Sequence, residues 1–128
     1  LGLVSVVAPV IVSGNTVVVL ASETEPLPAI TWAEVLATSD LPGGVVNILT
    51  GYVAEVAPWL ASHADVNGLD LTGVTDPTLA TSVEEAAAET RKRVRRPEVG
   101  PLDWTVDPGL DRLTQFLETK TVWHPKGI

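Results

Sequence analysis

Short apolar runs alternate with longer amphipathic stretches along the first part of the chain. Asn15 to Leu20 carries the β-branched run Thr16-Val17-Val18-Val19 between Gly14 and a polar Ser22-Glu23 turn, the pattern of a fully buried strand. A helix follows: Pro26 and Pro28 suit its first turn, and within 29–39 Ile30, Ala33, Leu36 and Ala37 face away from Thr31, Glu34 and Thr38. Leu41-Pro42-Gly43-Gly44 stops it. Val45 to Leu49 predicts a second buried strand closed by Thr50-Gly51, then a helix over about 54–62 and a third strand over about 68–72.

Strand and helix joined by short links imply an α/β fold, a Rossmann-like β-α-β-α-β half-sheet of parallel strands with right-handed crossovers. The turns at Ser22, Gly51 and Gly73 would then share the edge at the strand carboxyl ends, where such folds receive ligands. Asp76-Pro77 reads as an N-cap and first helical residue. The helix is expected to run to about Val94, acidic early and basic late, with Glu89 and Arg93 at i,i+4 spacing. The predicted organisation is a domain over 1–94, a Pro- and Gly-rich linker over 95–109, and a short helix near 110–117 with an extended arm within 110–128. The segment Leu1 to Val12 is ambiguous: Val-rich composition favours a strand and its length a buried helix.

Composition narrows the chemistry. Charged residues at 19% and hydrophobic ones at 45% describe a folded domain. The 128 residues contain no Cys, so disulfides, thiolate metal sites and cysteine nucleophiles are excluded within them. No Met is present and the chain opens on Leu1, which points to a stretch of a longer polypeptide. The apolar start is too short to span a bilayer and no Lys or Arg precedes it; a cytoplasmic, membrane-free protein is expected. The net charge of −8 is unevenly spread, since every Lys and Arg lies at or beyond position 91. Nucleic-acid binding by the first part is disfavoured, and the Arg91 to Arg96 run reads as a solvated helix end because no aromatic residue interrupts it. His63 and His124 have no partners at metal-ligand spacing, so no metal site is expected. Trp32 and Trp59 could serve packing or contact, and Trp123 is the better interface candidate.

Three phrases, "SGNTVVVLASETEPL", "DLPGGVVNILTG" and "LASHADVNGLDLTGVT", resemble in order the coenzyme-domain segments of the aldehyde dehydrogenase superfamily, and "FLETKTVWHP" resembles its C-terminal oligomerisation strand more weakly. The resemblance implies that Leu3 to Ser13 is a helix, that NAD(P) is the family cofactor, and that Ser22, Glu23, Gly51, Thr72 and Gly73 occupy vestigial cofactor-binding positions. It also exposes departures. Where the family carries a Lys for the adenosine ribose, this chain has Leu20, which cannot donate a hydrogen bond. Val53 and Ala57 replace later glycines of the second turn, Pro58 removes an N–H there, and Val74 replaces a Ser in the third turn. The family's Glu-Leu-Gly-Gly phrase and nucleophilic Cys should follow the third turn, and neither does. Without a thiolate to form the thiohemiacetal that gives hydride to the nicotinamide, no catalytic residue is assigned.

The resulting expectation is an aldehyde-dehydrogenase-like pseudoenzyme that binds no cofactor tightly and assembles through its C-terminal strand, as a homo-oligomer or with an active relative. The alternatives are an NAD(P)-dependent oxidoreductase component whose partner chain supplies the thiol, and an unrelated small α/β binding module. For Ser22 and Glu23, a turn and helix cap that needs no ligand is favoured over a retained cofactor contact.

Overall fold

A computed structural model describes residues 1–96, 100 and 102–127. Helix α1 spans Gly2–Val12, as the family resemblance implies and against its β-rich composition. Its length allows Val7 and Val10, three positions apart, to be buried on one face. Pro9 lies inside it and lacks the N–H that would meet the Ser5 carbonyl. The helix stops where the Ser13 hydroxyl donates to the Val10 carbonyl at 2.8 Å and Gly14 reverses the chain at φ +88°.

Strand β1 (Val17–Leu20), helix α2 (Leu27–Ala37) and strand β2 (Val46–Leu49) form one parallel βαβ unit, with Val17 opposite Val46 and Leu20 opposite Leu49. Helix α3 (Val53–Ser62) leads to β3 (Gly68–Asp70), and helix α4 (Pro77–Ala88) to β4 (Arg93–Arg95). Asp76 caps α4 through its carboxylate, which accepts from the Thr78 N–H at 2.8 Å, and Pro77 takes the first helical position.

Two expectations are corrected here. The first three strands do not form one sheet: β1 pairs with β2, while β3 pairs in parallel with β4 in a second two-stranded sheet. The basic end of the fourth helix is also strand, so Glu89 and Arg93 do not share a helical face. The helix closes in a Schellman pattern. Arg91, at φ +58°, sits in the left-handed region, its N–H reaches the Ala88 carbonyl, and the Lys92 N–H reaches that of Ala87. The reversal frees Val94 to pack on the core and lets the Arg93 N–H and Arg95 carbonyl enter the β3 ladder.

The main core lies between α3, α4 and one face of β3–β4. Ala61, Leu71, Ala80 and Val83 are buried there with Leu69 and Val94 against them. The small Ala61 and Ala80 allow the two helices to approach closely. The alternation of a strand places Gly68, Asp70, Arg93 and Arg95 on the opposite, polar face. That face is met by residues after the linker: Phe116 lies against Gly68, and Arg93 donates to the Phe116 carbonyl at 3.4 Å. Helix α5 is a single turn, Asp111–Thr114, shorter than the 110–117 expected. Within the linker, 97–99 and 101 lie outside the described residues, as does 128 at the end of the arm. The arm forms no strand among the described residues, and Trp123 is 89% exposed. No helix among the described residues is long and apolar enough to cross a membrane.

Candidate functional site

The turn after β1 opens with buried Ala21, whose N–H donates to the Leu49 carbonyl at 2.9 Å and carries the ladder one residue beyond β1. Next, the Ser22 hydroxyl accepts from the Glu25 N–H at 3.2 Å and lies 3.3 Å from the Thr24 hydroxyl, a local side-chain turn. Glu23 reaches across the gap instead. Its Oε1 accepts from the N–H of Val53, the first residue of α3. Tyr52, at the N-cap position of that helix, offers no side-chain cap, so the carboxylate satisfies an orphan donor and faces the positive end of the helix dipole.

The first and second turns are therefore brought together, as their shared edge requires. Gly51 lies beneath Val56, whose Cγ2 would stand 3.1 Å from a Cβ added at the glycine. Sequence reasoning places the crowding at Val53 and Ala57; the side chain over the glycine is that of Val56, one helical turn into α3. Pro58 is the sixth residue of this helix. The N–H it lacks would have bonded the Ala54 carbonyl within the helix, so its absence removes no outward-facing donor.

The third turn bonds to a different set of groups. Asp70 Oδ1 accepts from both the Thr72 N–H, at 2.9 Å, and the Thr72 hydroxyl. Arg95 Nη1 donates to Thr72 Oγ1 at 3.2 Å and lies 3.5 Å from Asp70 Oδ2, while Arg112 Nη1 approaches the same oxygen at 4.0 Å. The Asp70 and Arg112 side chains are only 10% and 11% exposed. Burial, then the neighbouring Arg95, pushes the Arg112 guanidinium below its usual pKa, and Asp70 opposes them. Trp104 supports the guanidinium face at 5.5 Å from its ring centre. Arg112 Nη1 is buried with no hydrogen-bond partner among the described residues. Gly73 adjoins open space, and the Val74 N–H closes the turn on the Leu71 carbonyl at 2.9 Å.

Asp70, Arg95 and Arg112 were missed from sequence. A signal existed: an acid inside a strand read as buried needs a cation, and every cation lies at or beyond position 91. The basic run is not the solvated helix end expected of it. Arg96 forks onto Glu84, with Nη2 to Oε2 at 2.6 Å, and Lys92 Nζ donates to the His63 carbonyl at 2.7 Å. His63 Nδ1 accepts from the Asp65 N–H at 3.2 Å, a turn contact. No cluster of three or more His, Cys, Asp or Glu residues suited to a metal ion occurs among the described residues. Two open surface depressions, of about 530 and 390 Å³, lie along α4 and between β4 and α5; none of the five predicted cofactor positions lines either, though Arg95 in the second contacts Thr72.

The polar groups of the predicted site are thus committed internally. Glu23 caps a helix, Ser22 closes its own turn, and the Thr72 hydroxyl donates to one side chain while accepting from another. Such an arrangement holds turns in place.

Comparison with known proteins agrees with the early resemblance. The model of the aldehyde dehydrogenase family matches residues 2–100. Hydroxyisobutyraldehyde dehydrogenase of Mycolicibacterium austroafricanum is 40% identical over 55% of this chain and 14% of its own length. Human aldehyde dehydrogenase 1A1 is 31% identical over 92% of this chain and 24% of its own. The crystal structure of an aldehyde dehydrogenase from Bartonella henselae superposes with a TM-score of 0.68 at 32% identity, covering 73% of this chain and 19% of that one. The chain therefore spans no more than about a quarter of the length of these relatives.

Proposed function

The chain belongs to the aldehyde dehydrogenase family, and we propose that it serves there as a non-catalytic scaffold, assembling with itself or with an active aldehyde dehydrogenase. The observation that carries this reading is the internal commitment of the candidate cofactor groups, above all Glu23 on the Val53 N–H and Thr72 between Asp70 and Arg95. Leu20 supplies no donor beside them, and the 128 residues hold no thiol for attack on an aldehyde.

Exposed apolar surface supports the assembly role. Val18 and Leu49 share one face of the β1–β2 sheet and are 43% and 40% exposed, while Val122 and Trp123 stand in solvent. Calorimetric titration with NAD should give no saturable binding tighter than about millimolar, some −4 kcal/mol. Micromolar binding would refute the scaffold reading and favour a working coenzyme site. Light scattering after gel filtration should show self-association, or a complex with a Cys-containing aldehyde dehydrogenase; a monomer that ignores both would refute the assembly role.

A further inference from the structure

The segment 104–118 meets the rest of the protein where α5 lies beside α1 and through Trp104, Arg112, Phe116 and Glu118. A Cβ on Gly2 would lie 3.0 Å from the Trp104 ring, a tight contact, and one on Gly68 would lie 2.6 Å from Phe116 Cδ1, so the Phe116 ring sits on backbone that glycine leaves open. Arg93 holds the Phe116 carbonyl and approaches Glu118 at 3.8 Å. Arg112 completes the set at Asp70. The carboxylate that faces Arg112 with one oxygen fixes the Thr72 amide and hydroxyl with the other.

We propose that residues 104–118 are a latch whose docking sets the third turn, so that Thr72 is held inward only while Arg112 and Phe116 are seated. Arg112 acts as a positioning residue through Asp70. When the latch lifts, Asp70 and Arg95 lose the wall that keeps water from their pair, and the Thr72 N–H loses a fixed acceptor. This deepens the assembly reading, on which it rests for the agent that lifts the latch: a partner that takes up the C-terminal stretch would loosen the turn in the same step. The coupling itself is intramolecular and stands or falls apart from any partner or coenzyme.

Residue-resolved hydrogen exchange by NMR tests it, on the full chain without ligand. Two variants lift the latch by different means: Arg112→Met removes the guanidinium, and Gly68→Ala drives out Phe116 at a point away from the Asp70 carboxylate. Displacement is read from the Trp104 indole resonance. In both variants the Thr72 amide should exchange roughly tenfold faster or more, while the Ala21 amide, bonded to Leu49 in the other sheet, keeps its rate. A shifted Trp104 resonance in Gly68→Ala with unchanged Thr72 exchange would overturn the coupling. Should either variant fail to fold, exchange in the unsubstituted chain at rising sub-denaturing urea decides. Thr72 and Gln115 amides converging on one opening curve support the latch, and two separate curves refute it.

Discussion

Replacing Asp70 by Asn tests the charge cluster most directly. The side chain keeps its shape, and its Oδ1 can still accept from Thr72, so the substitution removes charge more than volume. An amide NH2 then points at Arg95 and Arg112, whose guanidinium nitrogens stand 3.5 and 4.0 Å from the present Oδ2. Two cations remain with no anion between them, and Arg112 is almost fully enclosed. Breaking a buried ion pair by removing one partner costs about 3–5 kcal/mol. The long separations and the 24% exposure of Arg95 place this case at the lower end, about 3 kcal/mol. That is a large share of the roughly 5–15 kcal/mol that holds a small domain folded. Equilibrium urea unfolding near neutral pH should show the midpoint falling with little change in slope. Adding Arg112→Met to Asp70→Asn should recover part of the loss, because the enclosed uncompensated cation goes with it. A loss below about 1 kcal/mol for Asp70→Asn would refute the reasoning, since it would mean that the cluster is screened like a surface pair.

Three further outcomes are expected. Asp76→Ala removes the side-chain cap of α4 and should cost about 1 kcal/mol in thermal or urea unfolding; an unchanged midpoint would show that the cap does not stabilise the helix. The Arg96 fork holds Glu84 below the usual carboxylate pKa; desolvation opposes it, and the opposite charge of Arg96 adds a smaller lowering. A depressed folded-state pKa stabilises the fold above the ordinary Glu value of about 4.3 and loses that contribution as pH falls through the folded value. Stability measured from pH 6 downwards should therefore decline in that acid window, and Glu84→Gln should flatten the decline without abolishing it, because Asp103, bonded by the Thr105 hydroxyl and amide, is depressed as well. Leu20→Lys restores an ammonium beside the first turn, yet NAD titration should still give no binding tighter than about millimolar, since Glu23 remains on the α3 N-terminus and Val56 on Gly51; micromolar affinity in that variant would show that the missing cation was the sole defect.

The elements whose identity depends on local pattern were legible in the sequence. The β-branched run at 16–19, the breaker at 41–44 and the Asp76-Pro77 start each correspond to a boundary seen in the fold. Helix α1 was not legible from composition, because its Val content argues for a strand; the family resemblance supplied the answer. Strand β4 was missed for a different reason. Three basic residues after an acidic helix complement its dipole, and that local preference concealed a turn made by a non-glycine residue at positive φ. The partner of β3 was equally hidden, since pairing depends on contacts distant in sequence. At the site, sequence identified Leu20 and Glu23 but could not say what Glu23 touches; its acceptor role at Val53 bridges thirty positions.

The strand pairings also say how the molecule can come together in time. Val17 meets Val46 and Gly68 meets Arg93, so each ladder closes across a single crossover of roughly 30 residues or fewer, about the span of one βαβ unit. Neither ladder waits for a strand from the other. A chain emerging amino end first can finish its first ladder before its second has left the ribosome, and it reaches its native pairings by two short searches in succession rather than one long one.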